Sequence, residues 1–98
     1  DYNGLQISGK LEDVMPQNIK AAWKADGWQV IDVDAHDLNA VYDALRQATL
    51  ATDAPVMIMA RSVMGKGVSF MENQVLWHYR SPDEDELRRA LEELGQPE

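Results

Sequence analysis

Val56-Met57-Ile58-Met59-Ala60 is an unbroken apolar run, bounded by Asp53-Ala54-Pro55 before it and Arg61 after it. A strand with one wet face alternates apolar and polar residues. A strand without alternation needs cover on both faces, as in a parallel sheet packed between helices. This segment therefore suits a fold that packs helices around a parallel sheet.

The other segments agree. Residues 17–26 read as a helix with Pro16 near its first turn, where a missing N–H costs little; Ile19, Ala22 and Trp23 share a face and Gly27 stops it. Trp28 to Val33 reads as a strand rich in β-branched residues. Asp37 is placed to cap a helix over 38–51, with Leu38, Val41, Tyr42, Leu45 and Thr49 on one face. Residues 61–81 lack a period and read as a long loop, a length usually tied to function. Ser81 and Pro82 then read as N-cap and first residue of a last helix with the stripe Leu87, Ala90, Leu91, Leu94, ended by Gly95. Trp23, Trp28, Met57 and Met59 read as core. The order helix, strand, helix, strand, loop, helix predicts α/β with parallel pairing. Two strands under three helices make a poor sheet, so further strands are expected, the first running into Asp1. With no Met at its start, the chain reads as the back part of something larger.

Composition sets outer limits. The 98 residues, 45% hydrophobic, allow one small domain or a piece of one. The formal net charge of −8 argues against nucleic acid and anionic membranes as partners. It does not exclude a phosphate ligand held by a few local donors and a divalent cation. The acidic cluster Asp83-Glu84-Asp85-Glu86 with Glu92-Glu93 reads as a solvated helix face. Cysteine is absent, which excludes disulfides and thiolate metal sites. No apolar run approaches the ~20 residues of a membrane span and no signal-like segment is visible, so a cytoplasmic protein is expected.

Three segments could carry chemistry. In Asp1-Tyr2-Asn3-Gly4-Leu5-Gln6-Ile7-Ser8-Gly9, Asn3 offers an uncharged amide oxygen. A turn through Gly4 could aim the Leu5 carbonyl at the same hard cation, with apolar Ile7 close to the bound group. A plain Asn-Gly turn accounts for the same residues, and spacing alone favours it. Gly65-Lys66-Gly67 follows the buried strand, at the end where open α/β sheets bind ligands. Its glycines could let backbone approach an anion, or the loop is simply exposed; it is not a Walker motif. Met64 just ahead could face a ligand. His78, after Trp77, could bond phosphate or move a proton, although a lone histidine is more often structural. His36, at a strand-to-helix junction, reads as a turn residue.

Read together, these segments resemble the transketolase family, in its N-terminal, thiamine diphosphate-binding section. Residues Asp1 to Gly9 resemble the second half of the family's cofactor motif, and 27–37 the strand and turn after it. Residues 60–73, Ala-Arg-Ser-Val-Met-Gly-Lys-Gly-Val-Ser-Phe-Met-Glu-Asn, resemble its later loop, followed by Trp77-His78. The wording is closest to transketolases of the split two-chain type, with residues 1–98 as the C-terminal part of the diphosphate-side domain. The resemblance implies part of a doubly wound parallel sheet with helices on both faces, incomplete in this chain.

It also implies thiamine diphosphate and Mg2+, or Ca2+ or Mn2+ in its place, as cofactors. The reaction implied is transfer of a two-carbon ketol unit from a ketose phosphate to an aldose phosphate. By resemblance, Asn3 and the Leu5 carbonyl are metal ligands. Ile7, Met64 and Gly65 line the cofactor, and His78 contacts the diphosphate and serves as the catalytic residue on the substrate side. Sugar phosphates are the implied substrates, and a C-terminal transketolase section or second subunit the implied partner.

Two departures stand out. Tyr79-Arg80 replaces the family's usual glycine after the histidine, and the Gly-Asp-Gly half of the cofactor motif, with its carboxylate ligand, is not in these residues. The residues alone are expected to be inactive. Competing readings are 1-deoxyxylulose-5-phosphate synthase or another thiamine diphosphate enzyme, and a non-catalytic assembly module.

Overall fold

The computed structural model describes residues 1–51 and 53–95. The chain runs β1 (Leu5–Gln6), β2 (Gly9–Lys10), α1 (Leu11–Val14), α2 (Ile19–Ala25), β3 (Gln29–Asp34), α3 (Leu38–Leu50), β4 (Val56–Arg61), a 3-10 turn (Val75–His78) and α4 (Glu84–Glu93). These elements fall into two units. One comprises Asp1–Tyr2 and Pro16–Ser62; the other joins Asn3–Met15 to the chain from Val63 on.

In the first unit β3 and β4 pair in parallel, in unbroken register from Gln29↔Val56 to Asp34↔Arg61. A parallel pair cannot be closed by a tight turn and needs a crossover; α3 supplies it and packs on both strands, while α2 packs on β3. The ladder continues beyond β4 at Tyr2, which forms a parallel bridge to Arg61. There the Tyr2 N–H donates to the Ala60 carbonyl at 2.8 Å and the Ser62 N–H donates to the Tyr2 carbonyl at 3.1 Å. Asp32 ties the layers: its carboxylate accepts from Lys20 Nζ on α2 at 2.7 Å and from Arg61 Nε on β4 at 2.6 Å. Those two cations, Lys20 first, hold its pKa below the ordinary value.

The face expected for α3 is corrected. Ala40, Val41, Ala44 and Ala48 turn inward, with Ala44 only 2% exposed, while Leu38 is 81% and Tyr42 65% exposed. Small residues at i, i+4 and i+8 let the crossover helix approach the strands closely. The larger side chains one step round the helix are left outside. The residues of β4 from Val56 to Ala60 are half-buried rather than covered on both faces. Trp23 is also not core: it is 37% exposed and meets Trp28 edge-on at 4.6 Å. Pro16 lies ahead of α2, whose N-cap is Asn18, with Oδ1 accepting the Ala21 N–H at 3.0 Å. Gly27, at φ 83°, follows the helix end in the left-handed conformation that suits glycine.

The second unit opens with a hairpin, β1 antiparallel to β2 with Leu5↔Lys10 and Gln6↔Gly9. Residues 63–74 wind through successive turns, and the Asn73 N–H closes the loop by donating to the Met64 carbonyl at 3.0 Å. Val68 and Ala90 are buried. The expected start of α4 moves from Ser81-Pro82 to an Asp83 N-cap. Asp83 Oδ1 accepts the Glu86 N–H and Glu86 Oε2 accepts the Asp83 N–H, both at 2.9 Å. This reciprocal box satisfies two end amides at once, which a serine two residues earlier does not. The acidic cluster is thus partly structural and not only a solvated face. Among the described residues no helix is long and apolar enough to cross a membrane.

Candidate functional site

Every candidate site residue lies in the second unit. Asn3 Oδ1 accepts the Leu5 N–H at 2.9 Å, closing an Asx turn around Gly4, which sits at φ 71°. The Gly4 carbonyl accepts the Leu11 N–H at 2.8 Å and ties the turn to the end of the hairpin. The plain-turn reading and the cation reading thus describe one geometry. The Asx turn fixes Asn3 Oδ1, and an amide oxygen that accepts one N–H keeps a second lone pair. Both Asn3 and Leu5 are half-buried. Ile7 stands at the hairpin tip and is 64% exposed.

The hairpin and the histidine come together, since β1 lies against the 3-10 turn that ends at His78. His78 itself is exposed. Met64 and Gly65 lie in the wound loop whose closing bond at Asn73 leads into the same turn. Gly65 has φ 74°, and a Cβ there would sit 2.7 Å from the Met71 carbonyl oxygen. Its lack of a side chain is therefore required by the loop. The Gly67 N–H donates to Glu72 Oε1 at 3.0 Å, and Lys66 Nζ lies 3.7 Å from the same oxygen. The glycine-lysine-glycine loop is wrapped around a carboxylate of its own chain. His36 belongs to the first unit, where Asp34 Oδ1 accepts its backbone N–H at 2.9 Å and fixes the strand-to-helix turn.

Some contacts escape sequence reading. Arg80 forks onto Glu86 and lies over the Trp77 ring, so one of the two residues in place of the family glycine is drawn toward α4. Glu93 accepts from both the backbone N–H and the hydroxyl of Ser69, the latter at 2.8 Å, and these bonds lower its pKa. The spacing Arg80-x5-Glu86 across a helix cap was the available signal for the first; nothing local marks the second.

Among the described residues no group of three His, Cys, Asp or Glu side chains is placed to hold a metal. What the unit offers is two neutral oxygens, Asn3 Oδ1 and the Leu5 carbonyl, on either side of one turn. These are hard donors suited to a magnesium ion that takes its other ligands from phosphate, water or a carboxylate elsewhere.

Residues 1–98 match the transketolase, thiamine diphosphate-binding domain family. The 6-deoxy-6-sulfo-D-fructose transketolase subunit of Clostridium sp. (strain MSTE9) is 34% identical over 95 residues, covering 96% of this chain and 34% of that protein. An apulose-4-phosphate transketolase subunit of Phocaeicola vulgatus is 30% identical over 97 residues, covering 98% of this chain and 34% of that protein. The chain thus spans about a third of the length of these curated relatives. The crystal structure of transketolase from Campylobacter jejuni superposes with a TM-score of 0.89 at 27% identity, covering 98% of this chain and 15% of that one. The α/β arrangement with its parallel pair is accordingly a fragment of the transketolase fold, part of a doubly wound sheet. A match over all 98 residues places the chain in the transketolase family, within its thiamine diphosphate-binding domain.

Proposed function

We propose that these residues form the C-terminal part of the thiamine diphosphate-binding section of a split, two-chain transketolase. The reaction is transfer of a two-carbon ketol unit from a ketose phosphate to an aldose phosphate. The names of two relatives, which specify a subunit, support the split arrangement and a partner section. They also name a sulfonated fructose and apulose 4-phosphate, so the substrate class is a ketose with an anionic group at the far end.

The observation that carries the reading is the Asx turn at Asn3, set beside the turn that ends at His78. Asn3 Oδ1 and the Leu5 carbonyl would hold magnesium without adding negative charge, and the metal would supply charge to offset the diphosphate. Bound thiamine diphosphate supplies the carbon nucleophile for the ketol unit. Ile7 and Met64 would give it an apolar border, and Gly65 lets the loop that carries Met64 close on Met71. His78, from a turn packed on β1, would donate a hydrogen bond to the diphosphate and serve proton transfer on the substrate side.

Calorimetry on the protein assembled with its partner section tests the binding, with thiamine diphosphate added with and without magnesium. Binding that ignores magnesium would contradict the assignment of Asn3 and Leu5. Product analysis with a ketose phosphate donor, and pyruvate as the control donor, tests the reaction. Turnover of pyruvate instead points to the deoxyxylulose-phosphate synthase chemistry, and a folded protein that binds no cofactor points to an assembly module. The 98 residues by themselves are expected to show no ketol transfer, because the Gly-Asp-Gly half of the cofactor motif and the partner section are not among them. Turnover by the purified fragment would overturn that.

A further inference from the structure

The turn that carries His78 is held by a run of contacts that ends in the first turn of α4. Trp77 Nε1 donates to the Phe70 carbonyl at 3.1 Å, and the two rings meet edge-on at 5.7 Å. The Arg80 guanidinium lies 4.7 Å from the centre of the Trp77 ring. On its other side it forks onto Glu86: Nη1 reaches Oε1 at 2.9 Å, and Nη2 reaches Oε1 at 2.9 Å and Oε2 at 2.7 Å. Glu86 is fixed in turn, because Oε2 also accepts the Asp83 N–H in the capping box. The Arg80 backbone N–H donates back to the Leu76 carbonyl at 3.2 Å. The guanidinium is thus a planar wedge between an indole face and a carboxylate whose own position is set by a helix cap. Lysine can supply the charge but neither the plane nor the fork.

His78 is exposed, whereas Arg80 and Glu86 are half-buried. Among the described residues, the contacts that place the imidazole run through its turn: the Arg80 guanidinium over Trp77 and the Arg80 N–H on the Leu76 carbonyl. We propose that Arg80 is a positioning residue for His78, locking the 3-10 turn to α4. The inference rests on the role proposed above for His78.

The test uses the assembled enzyme with Arg80→Gln, Arg80→Lys, His78→Ala and the double variant Arg80→Gln/His78→Ala. Arg80→Gln is expected to lower kcat/KM by between about tenfold and a hundredfold, as for a reacting group displaced by about 1 Å. Arg80→Lys is expected to lose less, and Arg80→Gln to lose nothing further in the His78→Ala background. Losses that multiply in the double variant overturn the proposal, since a merely structural effect would act independently of His78. The second readout is amide hydrogen exchange without substrate or cofactor. Exchange over 75–79 is expected to quicken in Arg80→Gln and Arg80→Lys while β3 is unchanged; unaltered exchange over 75–79 overturns the proposal. If the wild type shows no ketol transfer, the functional reading fails and exchange alone decides the positioning role. If Arg80→Gln does not fold, Arg80→Lys carries both measurements.

Discussion

Gly65→Ala is expected to be the most damaging single-methyl change in the loop of the second unit. Two separable effects add. At φ 74° an L-residue meets its own carbonyl, which costs about 1–2 kcal/mol. The new Cβ also falls 2.7 Å from the Met71 oxygen and 2.8 Å from both its carbonyl carbon and its Cβ. Backbone atoms cannot rotate aside, so the loop must shift, at an overpacking cost of about 1–3 kcal/mol. The sum is about 2–5 kcal/mol. Gly95→Ala isolates the first effect, because Gly95 has φ 69° and nothing within 4 Å of the added methyl. Gly67→Ala should fall between them: its Cβ would lie 3.0 Å from Leu94 Cδ2, the movable end of a side chain. Urea unfolding of the cofactor-free protein, followed by tryptophan fluorescence, reads the series. With a slope of about 1–3 kcal/mol/M, Gly65→Ala should unfold on the order of 1 M below Gly95→Ala. Equal midpoints for these two variants would show that the loop accommodates the methyl and that the packing argument is wrong.

Three further outcomes are expected. Asn3→Ala removes both the acceptor for the Leu5 N–H and the proposed metal oxygen, and should weaken magnesium-dependent thiamine diphosphate binding about tenfold or more by calorimetry; unchanged affinity would refute the metal role. Asp83→Ala should lower stability by about 1 kcal/mol through loss of the α4 cap, seen as a shift of the urea midpoint at constant slope. Asp32 has its pKa lowered from 3.8 by Lys20 and Arg61, so its stabilisation is complete above that value and is lost as pH falls through the lower folded pKa. Asp32→Asn should therefore be less stable than wild type at neutral pH and lose less on acidification below 3.8; parallel stability curves for the two proteins would refute this.

The parallel pair was legible in the sequence because it rests on a local signal, an apolar run set between a proline break and a charged end. Asp37 was legible for the same reason: a cap acts within its own turn, and Asp37 Oδ1 accepts the Asn39 and Ala40 amides at 3.0 and 3.1 Å. The buried face of α3 was not legible. Periodicity identified a stripe of large residues, but how near a crossover helix approaches its strands depends on small ones. The β1–β2 hairpin was also hidden, because two-residue strands are too short to show alternation. In the candidate site, Asn3, Leu5 and His78 are proposed from resemblance to a family; their own spacing favours a plain turn and a structural histidine. The Arg80–Glu86 fork left only a weak local mark, a spacing of six residues across a helix cap, whereas the Glu93–Ser69 pair joins residues 24 apart and depends on tertiary placement.

The loop at Gly65-Lys66-Gly67 already hosts an anion of its own. With Glu72 seated on the Gly67 amide and beside the Lys66 ammonium, any phosphate drawn to these donors arrives by exchange, displacing a tethered carboxylate. Its effective affinity is thereby reduced in proportion to how firmly that internal competitor holds. Such an arrangement sets a small internal handicap against any single anion that seeks the same two donors.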